Sequence, residues 1–388
     1  MYNIKLINKI SKSGTDIFDK EKYNVGDDVE APVALMVRSA KLHEAVFDKE
    51  TVAISRAGAG VNNIPIDRCA EEGIVVFNTP GANANGVKEL TLAALLLAAR
   101  DVVSGVNWAN ALEKDGEVAA KVEKGKGAFA GSELFGKTLG VIGLGAIGGL
   151  VANAGVALGM KVIGYDPMLS VNAAWSLSGA VIKAESYEEI YKRSDFITLH
   201  VPAVKDTKGM INKDSIASMK DGVKIINLAR GELVDTAALK DALEAGKISA
   251  YVTDFPSDET IGVKGIVNIP HLGASTEESE ENCAVMAAKE LCDYIELGNI
   301  KNSVNYPTVA IPGSSANKTR IGVCHRNVAN MLAYITSSVS SFGLNIKHLS
   351  NGSKGEYAYT LIETDSPMPE AVAEKIGAIK DVIKVRLI

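Results

Sequence analysis

Three glycines with a recognisable spacing are the first residues in this sequence whose pattern points to chemistry. Gly143, Gly145 and Gly148 follow the short apolar run Thr138–Ile142 in G-x-G-x-x-G order, and Asp166 closes the next apolar run. The first glycine permits a tight turn, the second lets a pyrophosphate approach the backbone, and the third lets a helix pack closely on its strand. The helix N-terminus adds free N–H groups that favour phosphate. The pattern predicts a dinucleotide site.

The position of Asp166 predicts which dinucleotide binds. A carboxylate at the end of the second strand can accept both ribose hydroxyls and would repel a 2′-phosphate, so NAD is favoured over NADP. Glycine is common in this chain, at 36 of 388 residues, and a glycine-rich turn in an unrelated α/β protein is the alternative. The strand before the glycines, the helix after them and the acid at the right distance argue against it.

Two further residues could act on a substrate beside such a cofactor. Arg230 follows the apolar run K-I-I-N-L and His271 follows I-V-N-I-P, so each is expected where a parallel strand ends. A guanidinium there can bind a carboxylate through two hydrogen bonds, and an imidazole can exchange a proton with an alcohol near neutral pH. Taken alone, each residue has a plain alternative, a surface charge that caps a helix or a loop histidine with satisfied hydrogen bonds.

Composition restricts the class of protein. The chain has 388 residues, 47% of them hydrophobic and 23% charged, with a net charge of −6, which suits a soluble enzyme and disfavours nucleic-acid or membrane partners. The longest apolar run, Leu92–Ala99, is too short to span a bilayer, and no long apolar segment resembling a signal peptide opens the sequence. The four cysteines form no C-x-x-C pair, so we expect a reducing cytoplasm and no metal site.

The order of apolar runs predicts three domains. Residues 1–103 and 272–305 are expected to form one discontinuous α/β domain with a flavodoxin-like sheet, including helices at Lys41–Phe47 and Asp67–Glu72. Residues 104–271 alternate strands and helices, which predicts a doubly wound parallel sheet of the Rossmann type, with a charged surface arm near 110–131.

The C-terminal part starts a separate pattern. Residues 306–318 contain prolines and small polar residues and are expected to be a linker. Residues 319–388 follow the order β-α-β-β-α-β, which predicts a ferredoxin-like domain.

Seven motifs in order along the chain carry a resemblance. They are R-A-G-A-G-V-N-N-I at 56–64, N-T-P at 78–80, K-E-L-T at 88–91, G-K-T-L-G-V-I-G-L-G-A-I-G at 136–148, H-V-P at 200–202, N-L-A-R-G at 227–231 and P-H-L-G-A-S-T at 270–276. With them the chain resembles the D-isomer-specific 2-hydroxyacid dehydrogenase family. The stretch H-R-N-V-A-N-M-L at 325–332 makes the C-terminal segment similar to an ACT domain, a regulatory or dimerisation module.

The resemblance implies roles for particular residues. Arg230 would hold the carboxylate and keto oxygen, and His271 would take the C2 hydroxyl proton as hydride leaves for NAD. Further residues that would bind a phosphorylated 2-hydroxy acid are Arg38, Arg56, the backbone of Ala59 and Gly60, and Lys126. Those that would line the NAD site are Gly143, Gly145, Ala146, Ile147, Gly148, Asp166, Pro202, Thr207, Ala229, Asp254 and Gly273.

The sequence departs from the family pattern in two places. A glutamate that would pair with His271 is expected three residues after Asp254, where Ser257 stands, so Asp258 or Glu259 would have to serve, with Asp258 preferred. In the ACT-like segment, a usual Pro-Gly pair is replaced by Ala329-Asn330, which puts a side chain where a ligand would approach the backbone. His325, Asn327 and Asn345 are the residues expected to bind a serine effector, if one binds.

Three readings of the function remain open at this point. The chain could be an NAD-dependent dehydrogenase for a phosphorylated D-2-hydroxy acid, one for 2-hydroxyglutarate or glycerate, or a non-catalytic NAD-sensing protein. We expect a homodimer or homotetramer in each case.

Overall fold

The computed structural model describes residues 1–313 and 318–388, which form two compact units. The first unit contains residues 1–83 and 277–388, and the second contains residues 84–276. The sequence had placed these boundaries at 103/104 and 271/272. The observed first boundary lies earlier because the apolar helix after residue 83 belongs to the second unit. Val87, Ala94 and Leu95 of this helix pack in the same core as the nucleotide-binding sheet, which contributes Leu139 and Val141.

The first unit begins with a five-stranded parallel sheet. Its elements are β1 (Tyr2–Ile7), α1 (Lys12–Thr15), β2 (Tyr23–Gly26), β3 (Ala34–Val37), β4 (Ala53–Arg56), α2 (Ile66–Glu71) and β5 (Val75–Asn78). The strand order is β2-β1-β3-β4-β5, which is the flavodoxin-like order, as predicted.

The helix predicted at Lys41–Phe47 is absent, and this segment is irregular apart from a turn at residues 43–44. The Arg68 side chain of α2 donates hydrogen bonds to the carbonyl oxygens of Leu42, His43 and Ala45. These carbonyls therefore bind a guanidinium instead of helical N–H groups, and a helix this short is marginal without tertiary support.

The second unit carries the nucleotide-binding sheet. It opens with α3 (Ala84–Ala99), α4 (Val102–Asn110), α5 (Val118–Gly125) and a 3₁₀ turn (Lys126–Phe129), so the expected arm is partly helical. There follow β6 (Thr138–Ile142), α6 (Ala146–Ala157), β7 (Lys161–Tyr165), α7 (Val171–Trp175), β8 (Ile182–Lys183), α8 (Tyr187–Arg193), β9 (Phe196–Leu199), α9 (Lys213–Ser218), β10 (Val223–Asn227), α10 (Thr236–Glu244), β11 (Ile248–Thr253) and β12 (Ile266–Asn268).

All seven strands of this sheet are parallel, in the order β12-β11-β10-β9-β6-β7-β8. The direction of winding reverses between β6 and β9. Open α/β sheets bind ligands outside the carboxyl ends of the strands at such a point. The predicted Rossmann architecture is confirmed.

The rest of the first unit is a long helix and an antiparallel sheet. The elements are α11 (Glu277–Leu297), β13 (Arg320–Arg326), α12 (Met331–Ser340), β14 (Ile346–Lys354), β15 (Tyr357–Thr364), α13 (Glu370–Gly377) and β16 (Val382–Leu387). The sheet order β14-β15-β13-β16 with antiparallel pairs is ferredoxin-like, as predicted.

The C-terminal sheet packs on the rest of its unit. Cys324, Tyr359 and Leu361 belong to the same buried cluster as Tyr294 of α11 and Tyr306. Arg320 is fully buried and donates to the carbonyl oxygens of Leu297 and Pro312. Arg386 donates to the carbonyls of Tyr294 and Ile295.

Much of the stretch 306–318, which was expected to be a linker, is buried in the first unit. Tyr306, Val309 and Ile311 are buried, and residues 314–317 of the predicted linker lie outside the described residues. In the described ranges, no helix is long and apolar enough to cross a membrane.

Candidate active site

The glycine-rich turn has the geometry that a bound pyrophosphate needs. Gly143 has φ +87°, and a Cβ added to it would lie 2.5 Å from the carbonyl oxygen of His200. A Cβ on Gly148 would lie 1.9 Å from the carbonyl oxygen of Gly143, whereas a Cβ on Gly145 would meet nothing within 4 Å. Gly145 thus faces open space, and α6 begins beside it without a side-chain cap, which leaves its first N–H groups for an anion. Ala146 and Ile147, which were also predicted to contact the cofactor, are the first two residues of α6.

Asp166 is fixed beside this turn. Its Oδ2 accepts from the N–H of Leu144 at 2.9 Å, and its Oδ1 accepts from the N–H of Met168 at 2.9 Å. Each carboxylate oxygen keeps a lone pair, so the group can also accept from ribose hydroxyls. The structure therefore brings Asp166 to the glycine turn as the sequence predicted.

Thr207 shapes the loop after β9. Its hydroxyl donates to the carbonyl oxygen of Pro202 at 2.5 Å and accepts from the N–H of Val204 at 2.9 Å. With 8% of its surface exposed, Thr207 holds the loop from inside. Pro202 and Thr207 are thus neighbours, as the predicted pocket requires.

His200 was not assigned a role from the sequence, although it stands in the H-V-P motif. Its Nε2 lies 2.9 Å from Thr198 Oγ1, and its Cβ lies 3.3 Å from the position of a Cβ on Gly148. Burial lowers the pKa of His200 to about 4, so the imidazole is neutral at physiological pH. It packs below the glycine turn without adding charge there.

The loop that presents Arg230 is organised by a fully buried amide. Asn227, the last residue of β10, accepts through Oδ1 from the N–H groups of Ala229 and Arg230, at 3.2 and 3.3 Å. Its Nδ2 donates to the carbonyl oxygen of Arg230 at 2.8 Å and to the hydroxyl of Tyr251 at 3.1 Å. The exposed Arg230 side chain donates to the carbonyl oxygen of Ala229. The N-L-A-R-G motif predicted a role for Arg230 but none for Asn227, whose amide positions the loop.

Arg230, Asp254 and His271 form one electrostatic group. Asp254, after β11, is 1% exposed, and its Oδ1 has no hydrogen-bond partner among the described residues. Burial raises the pKa of Asp254, while His271, the N–H of Gly273 and Arg230 act in the opposite direction. A Cβ on Gly273 would lie 3.4 Å from Asp254 Oδ2, so this glycine lets the loop approach the carboxylate.

His271 is exposed and is held by ring packing. Its imidazole lies 4.8 Å, centroid to centroid, from the ring of Phe255 at an interplanar angle of 60°. Among the described residues, the carboxyl group whose pKa His271 affects is that of Asp254.

The structure does not bring Asp258 to His271. Asp258 is exposed in the turn that Ser257 and Thr260 close on themselves through hydrogen bonds, and it makes no ion pair in the described residues. Since that turn is satisfied internally, nothing directs the Asp258 carboxylate toward the imidazole. Glu259, the alternative, is exposed in the same turn.

The chain's residues fit a dinucleotide. The open face at Gly145, the uncapped N-terminus of α6 and the buried, unpartnered Oδ1 of Asp254 are each groups for which the protein supplies no partner. An amide or a phosphate of the cofactor would satisfy them. Within the described residues, no cluster of histidine, cysteine and acidic side chains could hold a metal ion.

Arg38 and Arg56 lie together in the first unit. β3 and β4 are neighbours, with Val37 beside Arg56, and Arg56 Nε donates to the carbonyl oxygen of Arg38 at 3.1 Å. Gly58 has φ +147°, a backbone conformation that residues with a side chain rarely adopt, so the turn after Arg56 favours glycine. Arg38 and Arg56 are thus neighbours, and Arg38 also binds Glu280.

The turn after Arg56 presents backbone donors. Asn78 Nδ2 donates to the carbonyl oxygen of Ala59 at 2.5 Å, which fixes the turn. No described residue accepts from the N–H groups of Ala59 and Gly60. Lys126 belongs to the second unit, where its ammonium pairs with Glu123.

The three residues expected to bind a serine effector do not converge. Both ring nitrogens of the buried His325 are occupied, at 2.8 Å from the carbonyl oxygen of Arg326 and 2.9 Å from Thr360 Oγ1. Asn327 bonds to the carbonyl of Gly355 at the hairpin tip, and Asn345 bonds to Asp365 at the other end of β15. A strand of this length separates them by roughly 25 Å.

The comparisons with known proteins agree with this geometry. The family model described as "D-isomer specific 2-hydroxyacid dehydrogenase, NAD binding domain" matches residues 92–274. A Schizosaccharomyces pombe protein named "Putative D-3-phosphoglycerate dehydrogenase" is 33% identical over 359 residues, which cover 85% of this chain and 72% of that protein. The chain belongs to the D-isomer specific 2-hydroxyacid dehydrogenase family. Its second unit therefore carries the family's NAD-binding domain, as the sequence predicted.

Other relatives in this dehydrogenase family are longer. The Bacillus subtilis D-3-phosphoglycerate dehydrogenase is 34% identical over 80% of this chain and 60% of its own length, and the Methanocaldococcus jannaschii enzyme is 39% identical over 71% and 52%. The chain thus spans about half to three-fifths of these two relatives.

Solved structures of the family have the same fold. A 3-phosphoglycerate dehydrogenase from Entamoeba histolytica with bound NAD⁺ is similar with a TM-score of 0.61 and 28% identity, covering 78% of this chain and 98% of that one. A D-2-hydroxyisocaproate dehydrogenase gives a TM-score of 0.63 at 22% identity, over 79% and 100% of the two chains, which shows the fold alone.

Proposed function

We propose that this protein is a D-3-phosphoglycerate dehydrogenase, which oxidises 3-phospho-D-glycerate to 3-phosphohydroxypyruvate with NAD in L-serine biosynthesis. The observation that carries this is the electrostatic group of Arg230, Asp254 and His271, which follows strands of the same parallel sheet whose β6 leads into the glycine-rich turn. Arg38 and Arg56, which contact each other in the first unit, support a phosphorylated substrate over other D-2-hydroxy acids.

Each part of the substrate has a proposed partner. The Arg230 guanidinium binds the carboxylate and the C2 oxygen, and the N–H groups of Ala59 and Gly60 bind the carboxylate as well. Arg38 and Arg56 bind the phosphate, with Lys126 of the arm as a third cation. Asp166 binds the adenosine ribose, and the turn at Gly145 binds the pyrophosphate.

His271 moves the proton in the proposed reaction. The C2 hydroxyl gives its proton to the imidazole while the C2 hydrogen leaves as hydride, so the alcohol becomes a ketone. NAD, when bound, supplies the hydride acceptor. Asp254 takes the part that the sequence had assigned to Asp258, because its buried carboxylate stabilises the imidazolium that forms.

A substrate panel tests this function. NADH oxidation is followed with phosphohydroxypyruvate, hydroxypyruvate, 2-oxoglutarate and glyoxylate at equal concentrations. We expect the highest kcat/KM with phosphohydroxypyruvate, and Arg230→Lys should lose activity with every substrate because a point charge cannot bind two oxygens side by side. Preference for 2-oxoglutarate or hydroxypyruvate would assign another D-2-hydroxy acid, and NADH binding without any turnover would indicate an NAD-sensing protein.

We further propose a cytoplasmic homo-oligomer whose C-terminal domain binds serine. A cavity of about 640 Å³ at the start of α12, lined by Ala329, Met331 and Tyr334 among others, is the proposed place, since His325 is already satisfied. Asn330 adopts a left-handed conformation there, with φ +65°. Serine titration into the assay tests the effector, and light scattering tests the oligomer. Unchanged rates would leave the domain a structural role.

A further inference from the structure

Arg38 is already bound to a carboxylate of its own chain. Its Nη1 donates to Glu280 Oε2 at 2.9 Å, and its Nη2 donates to Glu280 Oε1, so the guanidinium and the carboxylate meet side by side. A phosphate would use this same edge of the guanidinium, because both anions accept two parallel N–H groups. Glu280 therefore stands where the proposed substrate phosphate would bind.

Glu280 binds Arg38, and Arg38 accepts a hydrogen bond from Arg56 through its carbonyl oxygen. Glu280 belongs to the first turn of α11, and the buried Cys283 follows one helical turn later. Burial raises the pKa of the Cys283 thiol, Arg56 and Arg38 act to lower it, and Glu280 acts to raise it. Two guanidiniums and one carboxylate thus act on the pKa of a single thiol, so the three charged groups lie in one small region.

The ion pair is exposed enough to be exchanged. The side chains of Arg38 and Glu280 retain 44% and 41% of their exposure, and water weakens an ion pair of this kind. A phosphate monoester carries up to two negative charges and three acceptor oxygens, so it competes effectively for the guanidinium. A substrate without a second anion gains nothing from Arg38 and leaves the pair intact.

We propose that Glu280 is a specificity-determining residue, whose carboxylate occupies Arg38 until the phosphate of the substrate displaces it. This inference rests on the proposed function. Every phosphorylated substrate must break the pair, whereas an uncharged substituent at the same carbon does not touch it. Glu280 thus lowers the affinity for phosphorylated substrates and leaves that for unphosphorylated ones unchanged.

The test compares two substrates in Glu280→Gln. We expect the KM for phosphohydroxypyruvate to fall about three- to fivefold, the size that loss of an exposed ion pair supports. The KM for hydroxypyruvate should not change, and inorganic phosphate should inhibit the variant at a lower concentration. Glu278→Gln is the matched control, because Glu278 is an exposed acid of the same turn without an ion pair among the described residues.

Arg38→Ala separates the two hypotheses. If Arg38→Ala raises the KM for phosphohydroxypyruvate while Glu280→Gln leaves it unchanged or raises it, the competition is refuted and the phosphate role of Arg38 stands. If Arg38→Ala changes neither KM, the proposed phosphate site itself is wrong. In the Arg38→Ala background, Glu280→Gln should have no effect, and a persisting fall in KM would refute the displacement.

Discussion

Asn227 and Arg230 hold each other at the carboxyl end of β10: the amide accepts from the N–H of Arg230 at 3.3 Å and donates to its carbonyl oxygen at 2.8 Å. A single buried side chain thus closes the loop that presents the guanidinium. Its fourth bond, to the hydroxyl of Tyr251 on β11, ties that loop to the next strand.

The first prediction follows from this pair. Asn227→Asp keeps the acceptor but removes both donated hydrogen bonds, so Arg230 loses its fixed position. We expect kcat/KM for phosphohydroxypyruvate to fall about 10- to 100-fold, because displacing a positioned group by a small distance is costly. NADH binding should change little, as fluorescence titration can show. Asn212→Ser, which preserves the cap of α9, is the control, and equal activity in both variants would contradict the positioning role.

A second prediction concerns proton transfer. His271→Ala removes the exposed imidazole that packs on Phe255 and that the proposed function assigns to the hydroxyl proton. We expect kcat to fall about 10²- to 10⁴-fold, the usual contribution of a general base, with the Kd for NADH unchanged. Stopped-flow turnover and NADH titration measure the two quantities. Near-normal turnover would assign the proton to another group.

The glycine-rich turn offers a third prediction with two opposite outcomes. Gly145→Ala adds a methyl group to open space, so the thermal midpoint should be unchanged while NADH affinity falls at least about tenfold. Gly148→Ala forces a methyl group against the carbonyl oxygen of Gly143, so the fold itself should lose about 2–4 kcal/mol. Calorimetry with and without NADH distinguishes them. Equal loss of stability in both variants would refute the assignment of Gly145 to the cofactor.

A fourth prediction concerns pH and stability. Glu290 of α11 is 8% exposed, and its carboxylate accepts from Asn302 Nδ2 at 2.8 Å. Burial raises the pKa of Glu290 from 4.5 to about 8, so between these values the folded protein binds more protons than the unfolded one. Its stability therefore falls as pH rises through this window, by about 4 kcal/mol between pH 5 and pH 8 from this group.

Glu290→Gln tests that prediction, because the amide keeps an acceptor and cannot ionise. Urea unfolding from pH 5 to pH 8 should show a flatter dependence of the free energy of unfolding on pH than in the parent protein. The control is Glu281→Gln, a partly exposed acid of the same helix that bonds to Ser13. An equal slope in parent and Glu290→Gln would mean that this carboxyl is ionised in the fold.

Local patterns along the chain were sufficient to predict much of the nucleotide-binding unit. β6 begins and ends at the residues of the apolar run that predicted it, Thr138–Ile142. The prediction of a helix at 41–47 was wrong because the conformation of this segment depends on hydrogen bonds from Arg68, and the local sequence pattern contains no sign of them. Contacts that join distant parts of the chain were missed for the same reason, as with Arg38 and Glu280, which are 242 residues apart.

The shared core of the first unit has a consequence for how this protein can evolve. Tyr359 of the C-terminal sheet and Tyr294 of α11 lie 6.3 Å apart, ring to ring, within one buried cluster. A mutation at either residue changes the packing around the other. The C-terminal domain therefore cannot be exchanged as an independent module. Recombination that replaces residues 319–388 must bring compatible side chains for the same helix whose first turn carries Glu280.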